Sequence, residues 1–293
     1  MYKIRKPAVA GQFYDGDREN LIKTIENCFL EARGPGEIPE IKEGDKKIKG
    51  VVVPHAGFIF SGAIAAHSYK IIAENGFADT FIILGPNHTG MGSGVSLMAE
   101  GIWETPLGGV PINSILAKKL ARDIIDTDED AHKYEHSIEV QLPFLQYISN
   151  NKKFDFVPIC MSMQDYETSR EIGELIAETI KNTIEKVVII ASSDFSHAGF
   201  NYMSIPPENM RVDEYAEEQD KHAIEKILEL DPKGLIDVVH EKNITMCGYG
   251  PVTAMLTASI KLGANKAELL KYGTSYAVHP STSCVGYGAI AVY

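Results

Sequence analysis

Apolar residues in this chain gather in short unbroken runs, separated by longer stretches in which they recur every three or four positions. The runs KGVVVP (49–54), TFIILGP (80–86), FDFVPIC (154–160) and KVVIIAS (186–192) are continuous rather than alternating and rich in β-branched residues. That is the pattern of strands covered on both faces. Helical spacing follows at 62–75, 113–126, 135–148 and 166–183; in the last, Ile172, Leu175, Ile176 and Ile180 share one face. Further helices are predicted at 213–229 and 251–262, where Pro251 suits a first turn, and strands near 267–272 and over 286–293 close the chain. Strands alternating with helices predict an α/β fold, a mixed central sheet flanked by helices. No internal repeat or low-complexity segment interrupts the pattern, so 1–293 reads as a single domain, with EARGPGEIPEIKEGDK (31–46) as an exposed loop.

Several strands run directly into chemistry. VVVPHAG delivers His55, FIILGPNH delivers His88, and VVIIASSDFSH delivers Asp194 and His197. In open α/β sheets ligands bind beyond the carboxyl ends of the strands, so side chains placed there can converge. A lone histidine is more often a surface or hydrogen-bonded core residue; a set of them at equivalent strand ends favours a shared site. Histidine is both the commonest metal ligand and the side chain that titrates near neutral pH. Cys247, in ITMCGYGPV, stands just before a predicted helix start, where the dipole favours a thiolate. In TDEDAHKYEHSIEVQLPFL, Glu135, His136 and Glu139 open a predicted amphipathic helix, a position that by itself suits a solvated acidic first turn. His67, His132, His222 and His240 read as structural or surface residues, and His279 is undecided. The glycines after His88 (Gly90, Gly92, Gly94) suit a loop beside a pocket; no Lys-Ser or Lys-Thr follows, as a phosphate cradle would need.

Bulk properties narrow the field. Hydrophobic content of 44% and charged content of 23% are those of a soluble globular chain, and a formal charge of −12 argues against nucleic-acid binding. The N-terminus lacks the apolar core of a signal peptide, and no run approaches the ~18 apolar residues of a membrane span. Cys28, Cys160, Cys247 and Cys284 are widely spaced without a Cys-x-x-Cys pair, which suits free thiols in the reducing cytoplasm.

Blocks along nearly the whole chain resemble the Memo family, which belongs to the superfamily of LigB-type class III extradiol dioxygenases. They are RKPAVAGQFY, VVVPHAGFIFSG, FIILGPNHTG, TDEDAHKYEHSIEVQLPFL, ASSDFSHAG, ITMCGYGPV and GYGAIAVY. The resemblance implies a LigB-like fold with metal ligands at His55, His88 and Cys247. It implies an acid/base role for His197 beside a pocket aspartate, Asp194. It also puts His136 and Glu139 around the site, and Phe13 and Tyr14 as an aromatic pair lining it. The ring-cleaving dioxygenases use two histidines and a carboxylate, whereas here the third ligand is a thiol, a softer donor that admits Fe(II), Cu or Zn. The expectation is a metal-dependent redox protein, with iron as the metal and a small-molecule or peptide ligand. The alternatives are a non-catalytic module that binds a ligand or phosphopeptide, and a zinc-dependent hydrolase.

Overall fold

The computed structural model describes residues 3–44 and 47–293. In chain order the elements are β1 (Ile4–Arg5), α1 (Arg18–Leu30), β2 (Gly50–Val53), α2 (Phe58–Glu74), β3 (Thr80–Pro86), β4 (Val95–Leu97), β5 (Ile102–Thr105) and β6 (Gly108–Pro111). Then come α3 (Ser114–Leu120), β7 (Asp126–Thr127), α4 (Leu142–Ile148), β8 (Asp155–Met161), α5 (Tyr166–Lys181), β9 (Val187–Ser192) and β10 (His197–Gly199). The chain ends with α6 (Val212–Leu228), α7 (Pro232–Glu241), α8 (Tyr249–Lys261), β11 (Ala267–Thr274) and β12 (Ser283–Val292).

The main sheet runs β10-β12-β2-β9-β3-β8-β4-β7, with β11 paired to β12; β1, β5 and β6 form a small separate sheet. Its centre, β2-β9-β3-β8, is parallel, and β12 joins it antiparallel to β2, so the sheet is mixed. Every residue of β2 and β3 is buried, which requires cover on both faces. Helices α1, α2 and α4 pack together as one layer, and α5, α7 and α8 as another. One continuous core runs from Tyr14 to Val292. Among the described residues no helix is long and apolar enough to cross a membrane.

The four predicted central strands fall within a residue or so of their expected bounds, because unbroken β-branched runs leave little choice of register. The predicted loop 31–46 contains no helix or strand in its described part; Asp45 and Lys46 lie outside the described residues. Two helices are shorter than their periodicity suggests. The 135–148 stretch becomes a 3-10 turn at Glu139–Gln141 followed by α4, because Pro143 has no N–H to donate to Glu139. The 113–126 helix stops at Leu120; Asp123 turns left-handed (φ 54°), and Asp126–Thr127 joins the sheet as β7.

Candidate metal centre

The sheet order places β2, β9 and β3 side by side, so the residues just beyond their carboxyl ends are neighbours. Val53 lies opposite Ser192 in the ladder, and two residues on from each come His55 and Asp194. The link is direct: the Asp194 Oδ1 accepts the His55 backbone N–H at 2.7 Å. His88 follows β3 through Asn87, whose side chain closes a tight turn by accepting from the N–H groups of Thr89 and Gly90. Gly90 takes φ +67° there, which accounts for the first of the glycines after the strand. Cys247 reaches the same place from the start of α8. Gln164, beyond β8, grips that turn by donating to the Cys247 carbonyl and accepting from Gly250 N–H. Gly248 rests on the end of β9, where a Cβ would lie 2.6 Å from the Ser192 carbonyl.

One ligand atom from each of His55, His88 and Cys247 lies within 4.8 Å of the others. Cys247 Sγ is 3.2 Å from His55 Nε2, and the His55 and His88 rings meet edge-on at 5.2 Å. Hydrogen bonds decide which imidazole nitrogen is free. Ser192 Oγ donates its only proton to the Ser137 carbonyl (2.6 Å) and accepts from Gln141 Nε2 (2.9 Å). Its contact with His55 Nδ1 at 2.9 Å therefore requires Nδ1–H, which leaves Nε2 bare and facing Cys247. Gln141 is itself held by the Tyr69 hydroxyl and by donating to the Pro54 carbonyl. His88 is set in the same way, its Nδ1 at 3.0 Å from Glu135 Oε1 and its backbone N–H at 2.5 Å from Oε2. A carboxylate on the far nitrogen of a ligating histidine orients the ring and raises its basicity. The donors, two Nε2 lone pairs and a sulfur, fit a transition metal.

Electrostatics sharpen the assignment. Burial, followed by the neighbouring imidazoles, holds His55 well below its usual range, so it is neutral. Burial opposes the ionised form of Glu135, but the His88 bond and charge outweigh it and bring the carboxyl to about 2. His88 is correspondingly raised despite its own burial. For Cys247 the expected thiolate does not appear: burial, then the Asp194 charge, pushes the thiol upward and outweighs the helix start. Without a bound cation this sulfur keeps its proton.

His136 stacks on His88 (4.7 Å, 26°) and meets Phe13 at a tilt (4.6 Å, 55°), forming a wall rather than joining the donors. His88, Glu135 and His136 also place ligand atoms within 4.8 Å of one another. The Glu135 oxygens, however, already accept from His88 twice and from the His136 and Ser137 N–H groups. His197 fixes its Nδ1 against the Phe195 and Thr245 carbonyls, both 3.1 Å away, so Nε2 is again the bare nitrogen. The histidines, Asp194 and Phe13 line a cavity of about 450 Å³ together with Phe60, Tyr202, Tyr287 and His279. A larger cleft of about 740 Å³ beyond Phe13 is lined by polar and apolar residues alike, with no histidine among the described residues that line it.

Two residues sit differently from their neighbours in the sequence motif. Glu139 faces the N-terminal segment, where it pairs with Arg5 at 2.6 Å and accepts from the Ala8 and Val9 N–H groups and from the Tyr14 hydroxyl. Tyr14 is therefore buried behind the pocket and Phe13 is the one of the pair that lines it. Glu135 and Ser192, which orient the histidines, were not legible as such; Glu135 stands beside His136 in the motif, and Ser192 precedes Asp194 by two residues.

Comparison with known proteins places the chain in a family. A family model described as Memo-like protein matches residues 5–291. A MEMO1 family protein of Methanopyrus kandleri is 48% identical over 289 residues, spanning 98% of both chains. One from Methanococcus maripaludis strain C5 is 48% identical over 294 residues, 98% of this chain and 99% of that one. Among solved structures, an uncharacterized protein from Escherichia coli K12 shares the fold with a TM-score of 0.56 at 13% identity, over 83% of this chain and 99% of that one. With full-length relatives at this identity and a family match from end to end, the chain belongs to the Memo family.

Proposed function

We propose that this protein is a metal-binding redox protein, with iron as its metal, held by His55 Nε2, His88 Nε2 and Cys247 Sγ. The observation that carries this reading is the tautomer lock: Ser192 and Glu135 occupy the far nitrogens of the two histidines and turn the near ones toward one sulfur. When bound, the metal supplies an electron-transfer and Lewis-acid centre. The protein's own groups supply the rest. His197, with Nδ1–H committed to two carbonyls, offers Nε2 to take a proton from a molecule in the cavity and return it. Asp194 spends its Oδ1 on the His55 backbone and so ties the acid/base loop to the ligand loop. Among the described residues no lysine or arginine lines the cavity, and aromatic rings form much of its wall, which suits a small organic molecule or one side chain of a peptide.

The test is metal analysis after anaerobic purification and reconstitution with Fe(II), Cu or Zn salts. Near-equimolar iron that is lost in His88→Ala and Cys247→Ser, with unfolding transitions retained, is the expected result. Wild-type protein that takes up none of these metals would overturn the reading. Exclusive zinc retention would instead favour a hydrolytic centre, in which the metal activates water.

A further inference from the structure

We propose that Asp220, on α6 and outside the metal centre, is the positioning residue for His197. The inference rests on the reading of His197 as the group that moves a proton. Asp220 is completely buried, and its carboxylate makes two specific contacts. Oδ1 accepts the Ser196 backbone N–H at 2.8 Å, and Oδ2 accepts the Tyr272 hydroxyl at 2.8 Å. Ser196 joins Phe195, whose carbonyl receives the His197 ring, to His197 itself.

The chain around this contact is shaped to admit the carboxylate. The Phe195 N–H donates to the Gly286 carbonyl at 2.8 Å, and the Gly286 N–H donates to the Ser196 carbonyl at 2.9 Å, so segment 195–196 lies along β12. Asp220 packs onto β12 at Gly286, where any Cβ would collide with its Oδ2. At Gly288, a Cβ would sit 2.6 Å from the Phe195 ring. The Gly-Tyr-Gly of GYGAIAVY thus has a physical reading: one glycine makes room for the carboxylate and the other for the ring beside it.

Packing alone does not call for an acid here, because burying a carboxylate is costly unless hydrogen bonds compensate. The cost is visible in Asp220, which burial pushes up to about 6. What the carboxylate does that an apolar side chain cannot is hold the Ser196 N–H. It acts from one side of His197 while Thr245 acts from the other, accepting the His197 N–H at 2.8 Å on its hydroxyl and the ring Nδ1–H on its carbonyl. Release of Ser196 would let the Phe195 carbonyl drift from Nδ1 and remove one of the two acceptors that fix the tautomer.

The test reads the ring nitrogens of His197 by ¹⁵N NMR in the full-length protein, both metal-free and loaded with Zn(II). Wild type should show the Nδ1–H tautomer alone. Asp220→Ala should lose that preference and show mixed tautomers, with Zn(II) stoichiometry unchanged. Asp220→Asn, whose amide oxygen can still accept the Ser196 N–H, should recover the wild-type signature. Tyr272→Phe should give a smaller loss of the same sign, and it carries the test if Asp220→Ala does not fold. Wild-type ring signals in Asp220→Ala, or in Tyr272→Phe where that variant must stand in, would overturn the proposal. So would an Asp220→Asn signature as disturbed as that of alanine. A wild-type protein that binds no Zn(II), Fe(II) or Cu would remove the functional reading and leave the positioning result to stand on the metal-free spectra.

Discussion

Every imidazole that faces the cavity from a strand end has one nitrogen already spoken for. His55 gives Nδ1 to Ser192, His88 gives it to Glu135, and His197 gives it to two carbonyls. The free nitrogens are thereby aimed while His55, His88 and His197 all keep a negative φ. The histidines themselves were legible in the sequence because each follows an apolar run. Their orienting partners were not, because Ser192 ends a strand like any other buried serine, and Glu135 looks like an ordinary acid ahead of a helix. The pairing of β2 with β9 brings Ser192 to His55, and the segment ahead of α4 folds back to bring Glu135 to His88. It follows that Glu135→Gln should keep the fold and weaken metal binding by about 10- to 100-fold, the usual effect of losing such an orienting partner. Competition titration against a chelator measures this; an affinity equal to wild type would show that His88 needs no carboxylate.

At the scale of elements, the site depends on where strands stop and what rests on their ends. The central strands were readable from their unbroken β-branched runs, whereas β4 to β7 were not, since runs of two to four residues carry no periodicity. Helix α7 was missed although Asp231 caps it and Pro232 opens it, signals that its short amphipathic run did not reinforce. The Cys247 turn illustrates the dependence of chemistry on packing. Gly248 lies against Ser192 and Ser193, so Gly248→Ala should push the Cys247 turn away from β9. Metal uptake should fall sharply while the unfolding midpoint moves far less; a variant that loads metal normally would mean the turn can yield without losing the sulfur. Glu139 plays the corresponding part for the N-terminal segment that carries Phe13. Removing it leaves Arg5 buried without its partner, and loss of one member of a buried pair costs on the order of 3–5 kcal/mol. Glu139→Ala should therefore unfold at much lower denaturant and expose residues 5–14 to hydrogen exchange; unchanged protection there would contradict the assignment.

For the whole molecule, buried neutral histidines contribute to a loss of stability toward acid pH. His132 is buried against Trp103, and burial, then Arg5, lowers it from 6.5 to about 4. His136 is lowered to about 4 as well, mainly by burial. A histidine depressed in the folded state takes up its proton first in the unfolded chain. The contribution of neutral burial is complete above pH 6.5 and is lost as pH falls toward 4. For His132 alone this is on the order of 3 kcal/mol. His132→Phe should flatten the fall in stability across that window, measured by denaturation at successive pH values; an unchanged slope would place the acid sensitivity elsewhere. The α/β architecture, the mixed sheet and the strand-end placement of the histidines were all legible in the sequence. The upward push on the metal-free Cys247 thiol was not, because burial is a property of the assembled fold and opposes the local pull of a helix start.

In the proposed function His55, His88 and Cys247 hold one redox metal. X-ray absorption at the iron edge, on protein reconstituted anaerobically with Fe(II), tests it most directly. Near-equimolar iron with one sulfur and two imidazoles among its neighbours is expected, with loss of the sulfur contribution in Cys247→Ser. Iron bound without a sulfur neighbour, or no bound iron at all, would contradict it.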